Sequence, residues 1–233
     1  MKVALIGDSL TEGRPGVSFY NILKEKFPMI TFVNLGKPGE SVKSLYARLK
    51  KEKLETDYDL SFLWIGVNDV YSKLLKVQAQ PVAKDHDEFR DYYEKVLELI
   101  IESSKKVIVV TPALVGENPN NAPNNEIKEL NVIIQSIASK HDTVRFLNMQ
   151  SVFLKNLSEN NSSDYISTKV LRVMMDVLFY KKPSRIDKLS KERGLYFTLD
   201  GIHLNSNGAQ IVAETYASEI ERLLNKNQGA VLK

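Results

Sequence analysis

Short apolar runs alternate with helical patterns along almost the whole chain, and few architectures accommodate that alternation. Residues 3–6, 30–35, 60–65, 107–110 and 144–147 are runs of four to six mostly apolar residues, and glycine or a Thr-Pro pair closes several of them. Runs this short, without strict polar alternation, mark strands buried on both faces. Helical spacing occupies residues 19–27, 41–54, 124–140 and 205–224, and Phe89, Tyr92, Tyr93, Val96, Leu97 and Ile100 form a further stripe. Strands and helices in strict alternation predict an α/β fold, a parallel five-stranded sheet with helices on both faces.

Two segments interrupt the rhythm. "PALVGENPNNAPNN" (112–125) is long for a strand-to-helix connection. Residues 151–195 are longer still, and within them Ile166, Val170, Val173, Met174, Val177 and Leu178 form one helical stripe. That helix reads either as an extra element packed on the core or as a cap over the functional edge, where Met174 and Met175 would supply adaptable apolar contacts. No repeat and no linker composition divides the chain. The expectation is one domain over 1–233 with a helical insertion at about 151–195.

Composition removes several functions. The net charge of +3 comes from scattered pairs such as Lys50-Lys51, Lys105-Lys106 and Lys181-Lys182, not from the clustered basic face that nucleic acid requires, so no nucleic-acid partner is expected. The absence of cysteine rules out disulfides, thiolate catalysis and cysteine-ligated zinc. Asp85-His86-Asp87 lacks the i, i+4 spacing of helical metal ligands, so neither a metal nor another cofactor is expected. No apolar stretch approaches the ~18 residues of a membrane helix, and no signal peptide precedes the first strand. A cytoplasmic protein is expected, with a secreted one trimmed of its leader as the alternative.

Three of the strands end in loops of small or polar residues: Gly7-Asp8-Ser9, Gly36, and Gly66-Val67-Asn68-Asp69. In open α/β sheets ligands bind beyond the carboxyl ends of the strands, so these loops should share one edge. The chain has three histidines. His86 lies in a charged loop before a helix and His141 at a helix end. His203 differs, because it sits in "FTLDGIHLNSNG" just before the last helix, with Asp200 three residues upstream. That spacing can set the carboxylate against Nδ1 and leave Nε2 to take a proton from a serine. Alone, "DGIH" also reads as a polar loop before a helix capped by Asn205 or Ser206, and "GDSL" as a strand-to-helix turn. Asn68 adds a side-chain amide at the same edge, and Gly36 a bare backbone N–H open to close approach.

In combination these segments resemble the SGNH hydrolases, also called the GDSL esterase/lipase family. "GDSLTEG", "NLGKPGES", "GVND" and "DGIH" appear in the family's order and span residues 7 to 203. The resemblance implies a flavodoxin-like three-layer α/β/α sandwich and a serine hydrolase that cleaves carboxylic esters through an acyl-enzyme. It implies Ser9 as nucleophile, His203 as general base and acid, and Asp200 as the group orienting His203. The oxyanion hole would comprise the Ser9 and Gly36 N–H groups and the Asn68 side chain, with Asp8 and Asp69 in support. The partner would be a small-molecule, lipid or sugar ester. The alternative within the resemblance is a non-catalytic carbohydrate- or ester-binding relative.

Other chemistries fit less well. The Gly-x-Ser-x-Gly elbow of α/β-hydrolases is absent around Ser9. A phosphate binder would want Gly-Lys-Ser/Thr or Gly-x-Gly-x-x-Gly, and neither is present. A phosphatase built on Asp8 would want a second carboxylate where Leu10 stands.

Overall fold

The computed structural model describes residues 1–75, 80–157 and 162–231. Five strands, β1 (Lys2–Gly7), β2 (Thr31–Gly36), β3 (Leu60–Trp64), β4 (Val107–Val110) and β5 (Val144–Leu147), form one sheet in the order β2-β1-β3-β4-β5. Every adjacent pair is parallel. The helices are α1 (Ser9–Glu12), α2 (Phe19–Lys26), α3 (Val42–Lys51), α4 (Val67–Tyr71), α5 (His86–Ser103), α6 (Ala122–Ala138), α7 (Met149–Leu157), α8 (Val170–Phe179), α9 (Pro183–Glu192) and α10 (Ser206–Val231).

The apolar runs become central strands because they can be covered twice. Val3, Ala4, Leu5 and Ile6 of β1 are buried, as are all residues of β3 and β4. Helices α3, α5 and α6 pack side by side on one face, and α2 packs with α10 on the other. Tyr216 of α10 stacks on Phe62 of β3 with ring centroids 4.1 Å apart and meets Phe19 of α2 edge-on at 5.2 Å. Burial of each such side chain contributes about 1.5–3 kcal/mol. This is the three-layer α/β/α sandwich.

Register sets the functional edge. Gly7, the last residue of β1, lies beside Gly36 of β2 and Trp64 of β3, and Trp64 lies beside Val110 of β4. β1, β2 and β3, which lead to Ser9, end at Gly36 and lead to Asn68 respectively, therefore end level. The chain leaves β1 for β2 on one side and later returns to β3 on the other, so the order reverses at the β1/β3 boundary, where crevices form in such sheets.

Three local expectations are corrected. His86 is not in a loop: Asp85 accepts the Glu88 N–H at 2.8 Å and starts α5 at His86. Helix α6 starts at Ala122, because Asn121 caps it by accepting the Asn124 N–H at 2.8 Å, and Pro123 is tolerated in the first turn. The 151–195 interval holds most of α7 and all of α8 and α9 instead of one helix, and α9 begins at Pro183. Ile166 lies outside α8, in a stretch pressed against Gly116 and Gly201. The side chains of Val170, Val173, Met174 and Val177 lie outside those described. Of the described ones on α8, Met175, Leu178 and Phe179 are exposed and Asp176 is buried. Among the described residues no helix is long and apolar enough to cross a membrane.

Candidate active site

The turn after β1 is built by Asp8. Its Oδ1 accepts the Leu10 N–H at 2.9 Å and so starts the short α1, which ends at Gly13 with φ 84°. This places Ser9 at the rim of the sheet, 4% exposed, with Oγ 3.0 Å from His203 Nε2. Among the described residues the Ser9 N–H has no partner.

His203 arrives from the other end of the chain on a hairpin-like turn. Leu199 N–H donates to the His203 carbonyl at 2.8 Å, and Asn205 N–H to the Phe197 carbonyl at 2.9 Å. Asp200 lies inside this turn, fully buried. Its Oδ1 accepts the Ile202 and His203 N–H groups at 3.0 and 2.8 Å, and its Oδ2 lies 2.7 Å from His203 Nδ1. A carboxylate at Nδ1 assigns the ring proton there, so Nε2 faces the Ser9 hydroxyl as an acceptor.

The charges are mutually supporting. Burial works to raise the Asp200 carboxyl, but the neighbouring His203 and the backbone N–H groups outweigh it and hold Asp200 below its ordinary value. Burial likewise works against a protonated His203, yet the charge and hydrogen bond of Asp200, helped by Asp8 and Asp176, hold the imidazole above its ordinary value. Such an imidazole is a stronger base toward a serine hydroxyl.

Asn68 stands in the first turn of α4, after Gly66 at φ 120°. Its Nδ2 donates to the Glu40 carbonyl at 2.9 Å, and its second amide hydrogen has no partner among the described residues. Asp69 Oδ2 accepts the Val42 N–H at 3.0 Å at the start of α3. Burial pushes both Asp69 and Asp8 up to about 7.

The glycine expectation needs correction. Gly36 N–H donates to Asn34 Oδ1 at 3.0 Å, so it is not free for an oxyanion. Gly36 is glycine for another reason: a Cβ there would stand 2.3 Å from Glu12 N and 2.8 Å from the Asp8 carbonyl. The glycine of this segment whose N–H is open is Gly39, which the sequence reading does not single out. It adopts φ 75°, its N–H has no partner among the described residues, and it directly precedes the Glu40 held by Asn68. The second glycine of "NLGKPGES", following proline, carried the signal, since Pro-Gly favours a turn with a positive φ at glycine.

Two segments brace the His203 turn from outside. Gly116 N–H donates to the Gly201 carbonyl at 2.7 Å, and Ser167 N–H to the Asp200 carbonyl at 2.8 Å. Tyr71 hydroxyl donates to the Ser167 carbonyl, linking α4 to the same turn. Helix α8 joins through Asp176, which pairs with Arg193 at 2.9 Å while Arg193 donates to the Leu199 carbonyl at 2.6 Å.

Comparison with known proteins gives concordant matches. A model of the GDSL-like Lipase/Acylhydrolase family matches residues 3–215. An acetylxylan esterase of Geobacillus stearothermophilus is 25% identical over 174 residues, covering 65% of this chain and 77% of that protein. The crystal structure of the acetyl xylan esterase AlAXEase superposes with a TM-score of 0.67 at 24% identity, covering 94% of this chain and 100% of that one. A member of the lipolytic G-D-S-L family from Veillonella parvula gives 0.65 at 15% identity, covering 94% of this chain and 97% of that one.

Proposed function

Since the chain belongs to the GDSL-like lipase/acylhydrolase family and is an ester hydrolase, we propose that it removes short acyl groups from sugar hydroxyls, with Ser9 as nucleophile. The observation that carries this reading is the continuous relay from Ser9 Oγ through His203 to Asp200, at 3.0 and 2.7 Å. An alcohol is a weak nucleophile until a base takes its proton, and here the base is in reach and oriented.

Ser9 Oγ attacks the ester carbonyl carbon as its proton passes to His203 Nε2. Asp200 stabilises the resulting imidazolium. The carbonyl oxygen becomes an oxyanion and accepts the Ser9 N–H, the second amide hydrogen of Asn68 and the Gly39 N–H. Donors already fixed in place act without reorganising when charge develops. Collapse breaks the bond to the leaving oxygen, which takes the proton from Nε2 and departs as the free hydroxyl. The acyl group remains esterified to Ser9. Water then attacks this ester with His203 again as base, and the carboxylic acid leaves with Ser9 restored.

The substrate class draws support from the two relatives, which are named as esterases of acetylxylan. The test compares initial rates on p-nitrophenyl acetate, butyrate and octanoate and on acetylated xylo-oligosaccharides, for wild type and Ser9→Ala, with fluorophosphonate labelling read by mass. Acetate turnover that disappears in Ser9→Ala, with an adduct on Ser9, supports the reading. Equal turnover in both proteins removes Ser9 as nucleophile, and a preference for octanoate removes the short acyl group.

A further inference from the structure

The long connection from β4 to α6 carries a carboxylate that the ester-cleaving steps do not use. Glu117 is 3% exposed. Its Oε1 accepts the Phe197 N–H at 2.8 Å, the Thr198 N–H at 2.9 Å and the Thr198 hydroxyl at 2.8 Å. Its Oε2 accepts the Tyr196 N–H at 2.7 Å and the Ser162 hydroxyl. Successive backbone N–H groups converging on one point form an anion-binding nest, and here the chain fills the nest with its own side chain. Among the described residues no cation pairs with Glu117, so hydrogen bonds alone compensate its burial.

The nest lies on the arm that leads into the turn of Asp200 and His203. Thr198 bridges to Leu204 on the opposite arm. The Thr198 hydroxyl, which donates to Glu117, accepts the Gly201 N–H at 3.1 Å. With Gly116 bonded to the Gly201 carbonyl, one loop grips both the arm and the tip of the turn. The asparagines around it hold the grip. Asn124 is fully buried, and it accepts the Val115 N–H at 2.8 Å and donates to the Gly116 and Asn118 carbonyls at 3.2 and 2.7 Å. The Asn-rich composition of the loop is thereby accounted for: the side chains supply the bonds that an irregular backbone cannot make to itself.

We propose that Glu117 is a positioning residue for ester cleavage, fixing the 196–198 arm so that His203 stays in register between Ser9 and Asp200. The proposal rests on the assignment of Ser9, His203 and Asp200 as the reacting relay. Its action is mechanical: the groups whose charge raises His203 are Asp200, Asp8 and Asp176, and Glu117 is not one of them. A displacement of about 1 Å in a reacting group can reduce a rate by about 100-fold. Because Glu117 is committed to the chain's own N–H groups, its loss should appear in kcat and leave KM in place.

The test uses the full chain as wild type, Glu117→Gln, Thr198→Val and Ser9→Ala, with p-nitrophenyl acetate kinetics and proton NMR of the low-field His203 Nδ1–H in the resting protein. Glutamine keeps one acceptor oxygen but sets an NH2 group against N–H donors. Glu117→Gln should lower kcat by roughly 10–100-fold with KM within about twofold, and its Nδ1–H signal should broaden through exchange with water. Thr198→Val, which retains the three N–H bonds, should show a smaller loss of the same kind, and it decides the matter if Glu117→Gln does not fold. Wild-type kcat together with an unchanged Nδ1–H signal in a folded variant overturns the proposal. Activity persisting in Ser9→Ala overturns the underlying relay instead, so the two failures are separable.

Discussion

Asn68 holds the Glu40 carbonyl at 2.9 Å with one amide hydrogen, and the other has no partner among the described residues. The same side chain therefore fixes the loop carrying Gly39 and can donate to an oxyanion. A preorganised donor of this kind typically contributes about 10²–10³ in rate. Asn68→Ala should lower kcat on p-nitrophenyl acetate by about that factor, with KM changed only a few-fold and the circular dichroism spectrum unchanged. Asn68→Asp should be at least as impaired, since a carboxylate has no hydrogen to donate and would face the Glu40 carbonyl. An undiminished kcat in Asn68→Ala would remove it from the oxyanion site.

The elevated His203 sets the pH dependence. A general base must be neutral, so activity falls as pH drops through the imidazole's value in the free enzyme. Asp200 and, secondarily, Asp8 hold that value above the ordinary one. The acid limb of kcat/KM should therefore have its midpoint above about 6.5. Asp8→Asn removes one of the two secondary carboxylates, itself only partly ionised near its value of about 7, and should move the midpoint slightly toward acid. A midpoint that stays fixed in Asp8→Asn would show that the Asp8 charge does not reach the imidazole.

Asp69 and Asp8 make a separate contribution to stability. Burial pushes each carboxyl up to about 7 from an ordinary value of 3.8. Between those values the folded chain holds a proton that the unfolded chain has released. The folded state thus binds more protons, and stability declines as pH rises through this window. His203, with its raised value, also loses its stabilising contribution as pH rises, whereas that of Asp200, held below 3.8 in the folded chain, is complete by about pH 5 and adds no slope above it. Tm should fall between pH 5 and 8. Asp69→Asn retains an acceptor for the Val42 N–H, and its Tm should fall less over the same range. Parallel Tm profiles for the two proteins would contradict this account.

What the sequence made legible depended on how local the cause was. The strands were visible because a run buried on both faces has no room for polar residues, as in Val107–Val110. Helix α9 carries no long apolar stripe, and it opens on Pro183, which in a first turn lacks only an N–H that would go unbonded within the helix. Ser9, His203 and Asp200 stood out because few residue types can make such a relay and only three histidines were available. That Asn34 engages the Gly36 N–H is not legible in the sequence, because it depends on the rotamer of one side chain. Glu117 gives no signal at all: the backbone N–H groups it accepts lie about eighty residues away, and any buried acceptor of the right length could fill that nest.

The two glycines of "NLGKPGES" should respond in opposite ways to the same substitution. A Cβ at Gly36 would stand 2.3 Å from Glu12 N and 2.8 Å from the Asp8 carbonyl, both backbone atoms that cannot rotate away. Gly36→Ala must push α1 and β2 apart, at a cost of about 1–3 kcal/mol as for other overpacked sites, and the displaced α1 carries Ser9. Both Tm and kcat should fall. Gly39 has open space around a Cβ, and only its φ of 75° resists alanine, which costs about 1–2 kcal/mol. Relaxation of that strain would change φ and so rotate the Gly39 N–H from its present direction. Gly39→Ala should therefore keep most of its Tm while losing kcat, by about tenfold or more for a misdirected donor. Thermal melts and p-nitrophenyl acetate kinetics on the two variants separate packing from donation. A Gly39→Ala protein with wild-type kcat would leave Ser9 and Asn68 as the oxyanion donors.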